Sequence, residues 1–260
     1  MKSIHFKKSD LAILIASLTG LFAFDGYGQR DRVLNLPSYE YSNYHFGFSL
    51  GLNQMNFTVK PSSDLHTRVY DASYTPELTV DSSMLLAVNS KPVMGFNVGI
   101  IGDMRLGRYF SLRFVPALSF GERYLYYSIL GYDNGETELI DVRKSVTSGF
   151  VEFPLLVKYK SKRYNNMLAY LTAGAKYSLD LASGAKKKDD GQETHIKLQK
   201  HDVYIMVGVG FDFFNPWFKF GTELKMSYGL RDILKREENI YCAGIDQLNS
   251  KIFELCFTFE

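Results

Sequence analysis

Gly47, Phe48, Ser49, Leu50 and Gly51 spell G-x-S-x-G, a run that in many hydrolases marks a nucleophilic serine. That chemistry needs the serine on a sharp strand-to-helix turn, where its hydroxyl is exposed and can attack a carbonyl. Here the surrounding residues, Tyr44 to Asn53, alternate as one continuous strand, and Gly47, Ser49 and Gly51 share a parity. Packing room on one face explains the motif better than catalysis does. His45, His66, His195 and His201 form no H-x-x-x-H pattern and have no cysteine partner at ligand spacing, so surface or interface histidines are expected. Cys242 and Cys256 match no zinc pattern. At a strand rise of about 3.4 Å per residue they lie beyond disulfide reach unless the loop between them folds inward. The expectation is a protein that is not an enzyme, with no cofactor and no metal.

A second set of residues carries charge where a strand would carry it inward. On the parity opposite to the bulky apolar residues fall Asn97, Arg113, Glu152, Lys158, Lys176, Asp212, Lys219, Glu223, Lys225 and Glu254. Both signs are present, so the chemistry implied is a hydrogen-bonded network of paired charges with trapped water. Glu152 and Lys176 lie at similar distances from the turn between their strands and are expected to approach each other. Gly47, Gly51, Gly95, Gly99, Gly174, Gly208, Gly210 and Gly221 share this parity and leave room for the long side chains.

These residues need strands to position them. From Phe218 to Tyr228, apolar Phe218, Phe220, Leu224, Met226 and Tyr228 alternate with Lys219, Gly221, Glu223, Lys225 and Ser227. A strand sends successive side chains to opposite faces, whereas a helix would repeat every three or four residues. The same rhythm marks Tyr44 to Asn53, Val93 to Gly102, Phe110 to Gly121, Gly149 to Tyr159, Leu168 to Leu181, Val203 to Phe213 and Lys251 to Phe259. Most have the roughly 9 to 11 residues with which a tilted strand crosses a hydrocarbon core. The connections alternate between long and short. Asp103 to Tyr109, Lys160 to Met167 and Phe214 to Trp217 are turns, while Gln54 to Pro92, Glu122 to Ser148, Ala182 to Lys200 and Gly229 to Ser250 are long and fall at one end.

The fold expected is all-β: an eight-stranded antiparallel up-and-down transmembrane β-barrel with short periplasmic turns and long extracellular loops. A lipocalin-like soluble barrel is the alternative, and it gives no reason for loops to segregate by length. Residues 1–28 read as a signal peptide, with Lys2, Lys7 and Lys8 ahead of the apolar run Leu11 to Phe24 and a small-residue site ending at Gly28. Residues 29–43 form a periplasmic N-terminal segment and 44–260 the outer-membrane barrel domain. Outer-membrane lipids are thus the first expected partner, with aromatics such as Tyr44, Tyr109, Tyr159, Tyr164, Tyr170, Trp217 and Tyr228 in girdles at the two interfaces. A net charge of +2 without a basic-aromatic cluster argues against nucleic acid, and the run Lys186 to Asp190 reads as a solvated loop tip. No small-molecule substrate is evident. An eight-stranded bore is filled by side chains, which disfavours a porin.

Three segments carry a more specific likeness: Tyr44 to Val59 (YHFGFSLGLNQMNFTV), Phe150 to Arg163 (FVEFPLLVKYKSKR) and Val207 to Leu230 (VGVGFDFFNPWFKFGTELKMSYGL). In these the chain resembles the PorT (SprT) family of Bacteroidetes outer-membrane proteins. The resemblance implies a component of the type IX secretion system, which exports proteins bearing a C-terminal sorting domain and in some relatives supports gliding motility. Its partners would be other type IX secretion components, and its action assembly or scaffolding rather than transport through its own bore. The resemblance supplies no active residues. The alternatives are an OmpX/OmpA-like surface adhesin or envelope-stabilising barrel, and a lipid-modifying barrel enzyme. One departure from barrel habit is the last residue: Phe257 and Phe259 stand where a terminal aromatic is expected, but the chain closes on Glu260.

Overall fold

The computed structural model describes residues 33–74, 77–182 and 196–260. The expected signal peptide, the loop tip 186–190 and His195 lie outside the described residues. The chain divides into two units, Met1–Leu34 and Asn35–Glu260, and the described strands lie in the second.

Among the described residues eleven antiparallel strands compose this unit: β1 (Tyr44–Pro61), β2 (Val69–Asp71), β3 (Ser82–Lys91), β4 (Val93–Arg105), β5 (Phe110–Phe114), β6 (Ala117–Asp133), β7 (Glu136–Lys160), β8 (Met167–Asp180), β9 (His201–Phe214), β10 (Lys219–Gly229) and β11 (Ile245–Phe259). They amount to eight staves. β3 and β4 run as one stave interrupted at Pro92, and β5 and β6 as another interrupted at Val115 and Pro116. Proline has no N–H to give a ladder, so each break falls where pairing must lapse. β1 pairs with β4 on one side and with β11 on the other, and the remaining staves pair in sequence, so the ladders form a ring. Closure satisfies every stave's backbone within the wall, the condition for β-structure in lipid.

All eight expected strands are present, and the short turns lie at one end. At the other end the expectation of long loops needs correction. β7 is 25 residues long and β6 17, far beyond the roughly 10 residues that cross a membrane. The stretch Glu122 to Ser148 is a continuous hairpin, closed by a two-residue turn at Asn134 (φ 46°) and Gly135 (φ 89°). Both central residues with positive φ define the turn whose twist matches that of the flanking strands, and Asn-Gly favours it. Likewise β1 continues eight residues past Asn53, β11 begins six residues before Lys251, and β3 with its short partner β2 occupies much of Gln54 to Pro92.

The outward face within the belt is apolar throughout. On β1 it carries Phe46, Phe48, Leu50 and Leu52; on β9, Ile205, Val207, Val209, Phe211 and Phe213; on β4, Met94, Phe96, Val98 and Ile100, all exposed. Above the belt the polarity inverts. Along the β5 and β6 stave the inward positions change from Ser111 and Arg113 on β5 and Ser119 on β6 to Leu125, Tyr127 and Ile129 farther along β6. The outward ones change from Leu118 and Phe120 to Glu122, Tyr124 and Ser128. The barrel wall thus continues out of the membrane with its oily face turned inside.

Candidate functional site

The interior is built in layers, starting at the short-turn mouth. Tyr39, in a 3-10 turn (Tyr39–Tyr41), stacks on His45 at 3.9 Å, and its hydroxyl donates to Glu260 Oε2 at 2.8 Å. Asn35 anchors the same strap by donating its backbone N–H to Asn166 Oδ1 and its amide to the Phe214 carbonyl, each at 2.9 Å. Leu36 and Tyr39 pack on buried Leu168, Tyr170 and Phe214. Residues 35–41 therefore lie across this mouth.

Next comes a first ionic layer. Arg113 donates through Nε to Asp103 Oδ2 (3.0 Å) and through Nη2 to Glu260 Oε1 (2.7 Å), with Glu223 at 3.9 Å from Nη1. Lys158 donates to Asp212 Oδ2 at 2.7 Å, and Lys219 to Glu260 Oε2 at 2.6 Å. Thr172 donates to Glu223 Oε1 at 2.7 Å. Above it, Lys176 donates to Glu152 (2.8 Å) and Glu254 (3.3 Å), and Lys225 lies 3.4 Å from Glu254. Glu152 and Lys176 meet on the diagonal, because the register sets Glu152 opposite Ser178 and Lys176 opposite Pro154.

Nine of the ten residues read from parity thus join two ion-paired groups. The tenth, Asn97, is buried beside Cys256 Sγ at 3.9 Å, where a Cβ on Gly51 would come within 2.3 Å of its Oδ1. Among the described residues both thiols, Cys242 and Cys256, are free. Tyr170, expected in an interfacial girdle, is instead buried in the bore under Lys158, whose Nζ sits 3.6 Å from the ring centroid. Its ring fills the space left by Gly210, where a Cβ would fall 2.4 Å from the tyrosine Cζ. The parity of Leu168 to Leu181 points Tyr170 inward, and reading position along the strand without parity misplaced it. Tyr44, Tyr109, Tyr159, Tyr164 and Trp217 are exposed at the short-turn end and Tyr228 at the other.

Sequence reasoning missed Asp103, Glu260 and Arg123. Asp103 opens the stretch whose sequence predicts a turn, yet it lies near the end of β4 and is buried. Glu260 completes the inward series Ile252, Glu254, Cys256 and Thr258, and its side chain is fully enclosed. Glu260 is therefore the shared partner of Arg113, Lys219 and Tyr39. Arg123 marks the upper limit of the polar bore. It donates to Ser148 Oγ (3.0 and 2.6 Å) and Ser250 Oγ (3.1 Å), lies 3.7 Å from Asp180, and stacks over Phe57 at 4.1 Å. Around this level Met55, Phe150, Tyr204 and Ile252 pack into a small apolar layer.

Above Arg123 an apolar core closes the outer end. Leu65, Tyr70, Leu85, Leu125, Tyr127 and Ile129 meet Leu198, Ile233, Leu234, Tyr241 and Leu248. A helical turn, Ile240–Ala243, capped by Asn239 Oδ1 accepting from the Cys242 N–H at 2.8 Å, presents Ile240, Tyr241 and Cys242 to this core. Gly244 approaches so closely that a Cβ would lie 2.0 Å from Leu85 Cδ2. Burial pushes the Cys242 thiol up from its ordinary range, and burial with the neighbouring Glu77 carboxylate does the same to Tyr241.

The serine of the G-x-S-x-G run is buried mid-strand, paired in register with Gly99 and Thr258 and on no turn. Among the described residues no group of three His, Cys, Asp or Glu is placed to hold a metal. On the outer wall a shallow apolar groove of about 330 Å³ lies over Gly208, lined by Val207, Val209, Leu224, Met226 and Phe253.

A closed ring of eight staves, oily outside and ionic inside, defines an outer-membrane β-barrel protein. The chain belongs to the outer membrane protein beta-barrel domain family, whose model matches residues 28–235, and it resides in the outer membrane. No curated protein matches it in sequence. Among solved structures it is similar to the outer membrane protein OprG from Pseudomonas aeruginosa, at 10% identity and TM-score 0.41, covering 84% of this chain and 96% of that one. It is also similar to the N-terminal beta-barrel domain of Pseudomonas aeruginosa OprF, at 13% identity and TM-score 0.28, covering 81% and 96%.

Proposed function

We propose that this barrel is a nonenzymatic component of a type IX protein secretion system, acting by assembly or scaffolding rather than as the conduit. The observation that carries the nonconducting half of this reading is the filled interior: a strap at one mouth, two ionic layers, and an apolar core at the other mouth. Folded cargo has no path through such a bore, so a role in export must be exercised through surfaces. The likeness of Tyr44 to Val59, Phe150 to Arg163 and Val207 to Leu230 to the PorT family supplies the secretion half. Other type IX components are then its protein partners, and residues 35–43 act on the periplasmic side. Deleting the gene in its host tests the reading: loss of secreted cargo with an intact outer membrane is expected, and unimpaired secretion overturns it.

A surface adhesin or envelope-stabilising barrel is the second reading. The projecting β6–β7 hairpin favours it, since a rigid platform above the membrane suits ligand contact. Replacing the hairpin's tip, residues 131–138, by a two-residue turn then abolishes adhesion while secretion continues.

A further inference from the structure

The outward face of β3, β6 and β7 changes character just above the apolar belt. Phe96 and Phe120 pack at 5.3 Å within the belt. Four and six residues farther along β6, roughly 10 and 15 Å up a tilted wall, stand Tyr124 and Tyr126. The register sets Tyr124 opposite Lys91 of β3, and Tyr126 opposite Arg143 of β7. Each cation reaches across the diagonal to the other ring: Lys91 Nζ lies 4.5 Å from the Tyr126 centroid, and Arg143 Cζ 5.0 Å from that of Tyr124.

Both cations are exposed, and neither forms an ion pair among the described residues. Elsewhere outside the membrane Lys60 is paired with Asp246 and Arg236 with Asp232, each at 2.7 Å, while Arg68 lies over the Tyr70 ring at 5.1 Å, so what sets Lys91 and Arg143 apart is that two such cations share one face. Of the acids on this face, Glu122 accepts a hydrogen bond from the Tyr124 hydroxyl at 2.8 Å and Asp141 one from Ser128 Oγ at 2.7 Å. Two cations held over tyrosine rings, at the height where amphipathic rings settle in an interface, leave their outward N–H groups for an anion.

The wall directly below is phenylalanine facing acyl chains. An occupant that matches the whole surface is oily below and anionic above. We propose that Lys91 and Arg143, framed by Tyr124 and Tyr126, dock the phosphate-bearing headgroup of an outer-leaflet lipid, with its chains against Phe96 and Phe120. Arginine presents a planar fork suited to phosphate, and lysine adds a compact charge. A soluble anion would use only the upper half of this surface.

Native mass spectrometry of the full barrel in neutral detergent tests the proposal, titrating bisphosphorylated lipid A and the same lipid after dephosphorylation. The wild type should retain one lipid A. The double variant Lys91→Ala with Arg143→Ala should bind it roughly tenfold to thirtyfold more weakly, while Lys91→Arg binds like wild type and Lys162→Ala, in a short turn, changes nothing. Dephosphorylated lipid should bind wild type as weakly as lipid A binds the double variant. The variants alter only exposed side chains, and unchanged heat-modifiable mobility on gels verifies that they fold. Equal retention by the double variant, equal binding of dephosphorylated lipid, or displacement of lipid A by millimolar inorganic phosphate would each overturn it.

Discussion

Below Arg123 the staves are oily outside and ionic inside; above it the same staves are polar outside and oily inside. β6 passes through both regimes without leaving its ladder with β7, which runs in register from Ala117↔Glu152 to Asp133↔Glu136. The difference follows from the solvent on the outer face. Where that face meets hydrocarbon, burying apolar groups inside brings no hydrophobic gain over leaving them outside, and the bore is free to hold matched charges. Where it meets water, the inside must supply the hydrophobic core, and Leu125, Tyr127 and Ile129 replace Arg113 and Ser119. The lower region holds its geometry by directional pairs and the upper by packing.

The largest expected effect tests the lower region. Arg113→Met leaves Asp103 and Glu260 buried without their shared cation, and removing one partner of a buried pair costs about 3 to 5 kcal/mol. Chemical unfolding of the barrel in lipid vesicles measures the loss. Adding Glu260→Gln to the variant should recover part of it, since the excess negative charge left among Asp103, Glu223 and Glu260 is then reduced. A double variant as unstable as the sum of the singles would show that Arg113 and Glu260 are not energetically coupled.

Leu125→Ala probes the upper region, where a cavity in a packed core costs about 2 to 5 kcal/mol. The comparison sharpens here. This loss should appear as protease sensitivity of the outer end, with heat-modifiable mobility retained by the membrane-embedded staves. If the whole barrel unfolds at correspondingly lower denaturant, the two regions form one cooperative unit and the division drawn at Arg123 is only geometric.

How much of this was legible follows from the same inversion. A two-fold alternation with apolar residues outside was readable wherever lipid is the outer solvent, and it supplied eight strands and the inward parity of nine ion-paired residues. Past Gly121 and before Gly149 the alternation continues with its faces exchanged, so a reading that expects oil outside stops there and writes a loop. Arg123 was lost with that segment. The Asn134-Gly135 turn between alternating runs was a sufficient signal for the hairpin. Glu260 follows from the inward parity of Ile252, Glu254, Cys256 and Thr258 alone. No local pattern could announce that Asn35 to Tyr41 fold across the mouth, because their partners lie at Asn166, Phe214 and Glu260.

Alkaline titration separates the regions in another way. Burial holds Tyr127 and Tyr241 well above the ordinary tyrosine range, and in Tyr241 the nearby Glu77 adds to the shift. An acid whose folded pKa is raised keeps its proton in the native state while the unfolded chain loses it. These two tyrosines thus leave the cap's stability unchanged below about pH 10 and lower it as pH rises beyond that, through the folded values, while the raised thiol of Cys242 begins the decline at about pH 8.5. Phenolate absorbance should show these two rings titrating only as the cap opens, and the Cys242 thiol, also raised by burial, should become alkylated in the same transition. Full Cys242 alkylation at pH 8.5 in a folded barrel would mean the upper core is open in solution.

The smallest effect lies farthest from the membrane. Gly135 has φ 89° in a two-residue turn, so Gly135→Ala forces a left-handed backbone on a residue with a Cβ, at a cost of about 1 kcal/mol. The added methyl itself meets nothing within 4 Å, which leaves backbone strain as the whole cause. Amide hydrogen exchange should quicken about fivefold at the tip of the β6–β7 hairpin, around Tyr132 and Thr137, and stay unchanged at Leu125 and Arg113. Faster exchange spreading down to Leu125 would mean that the turn clamps the upper core from above, and that core would then depend on its hairpin rather than on its own packing.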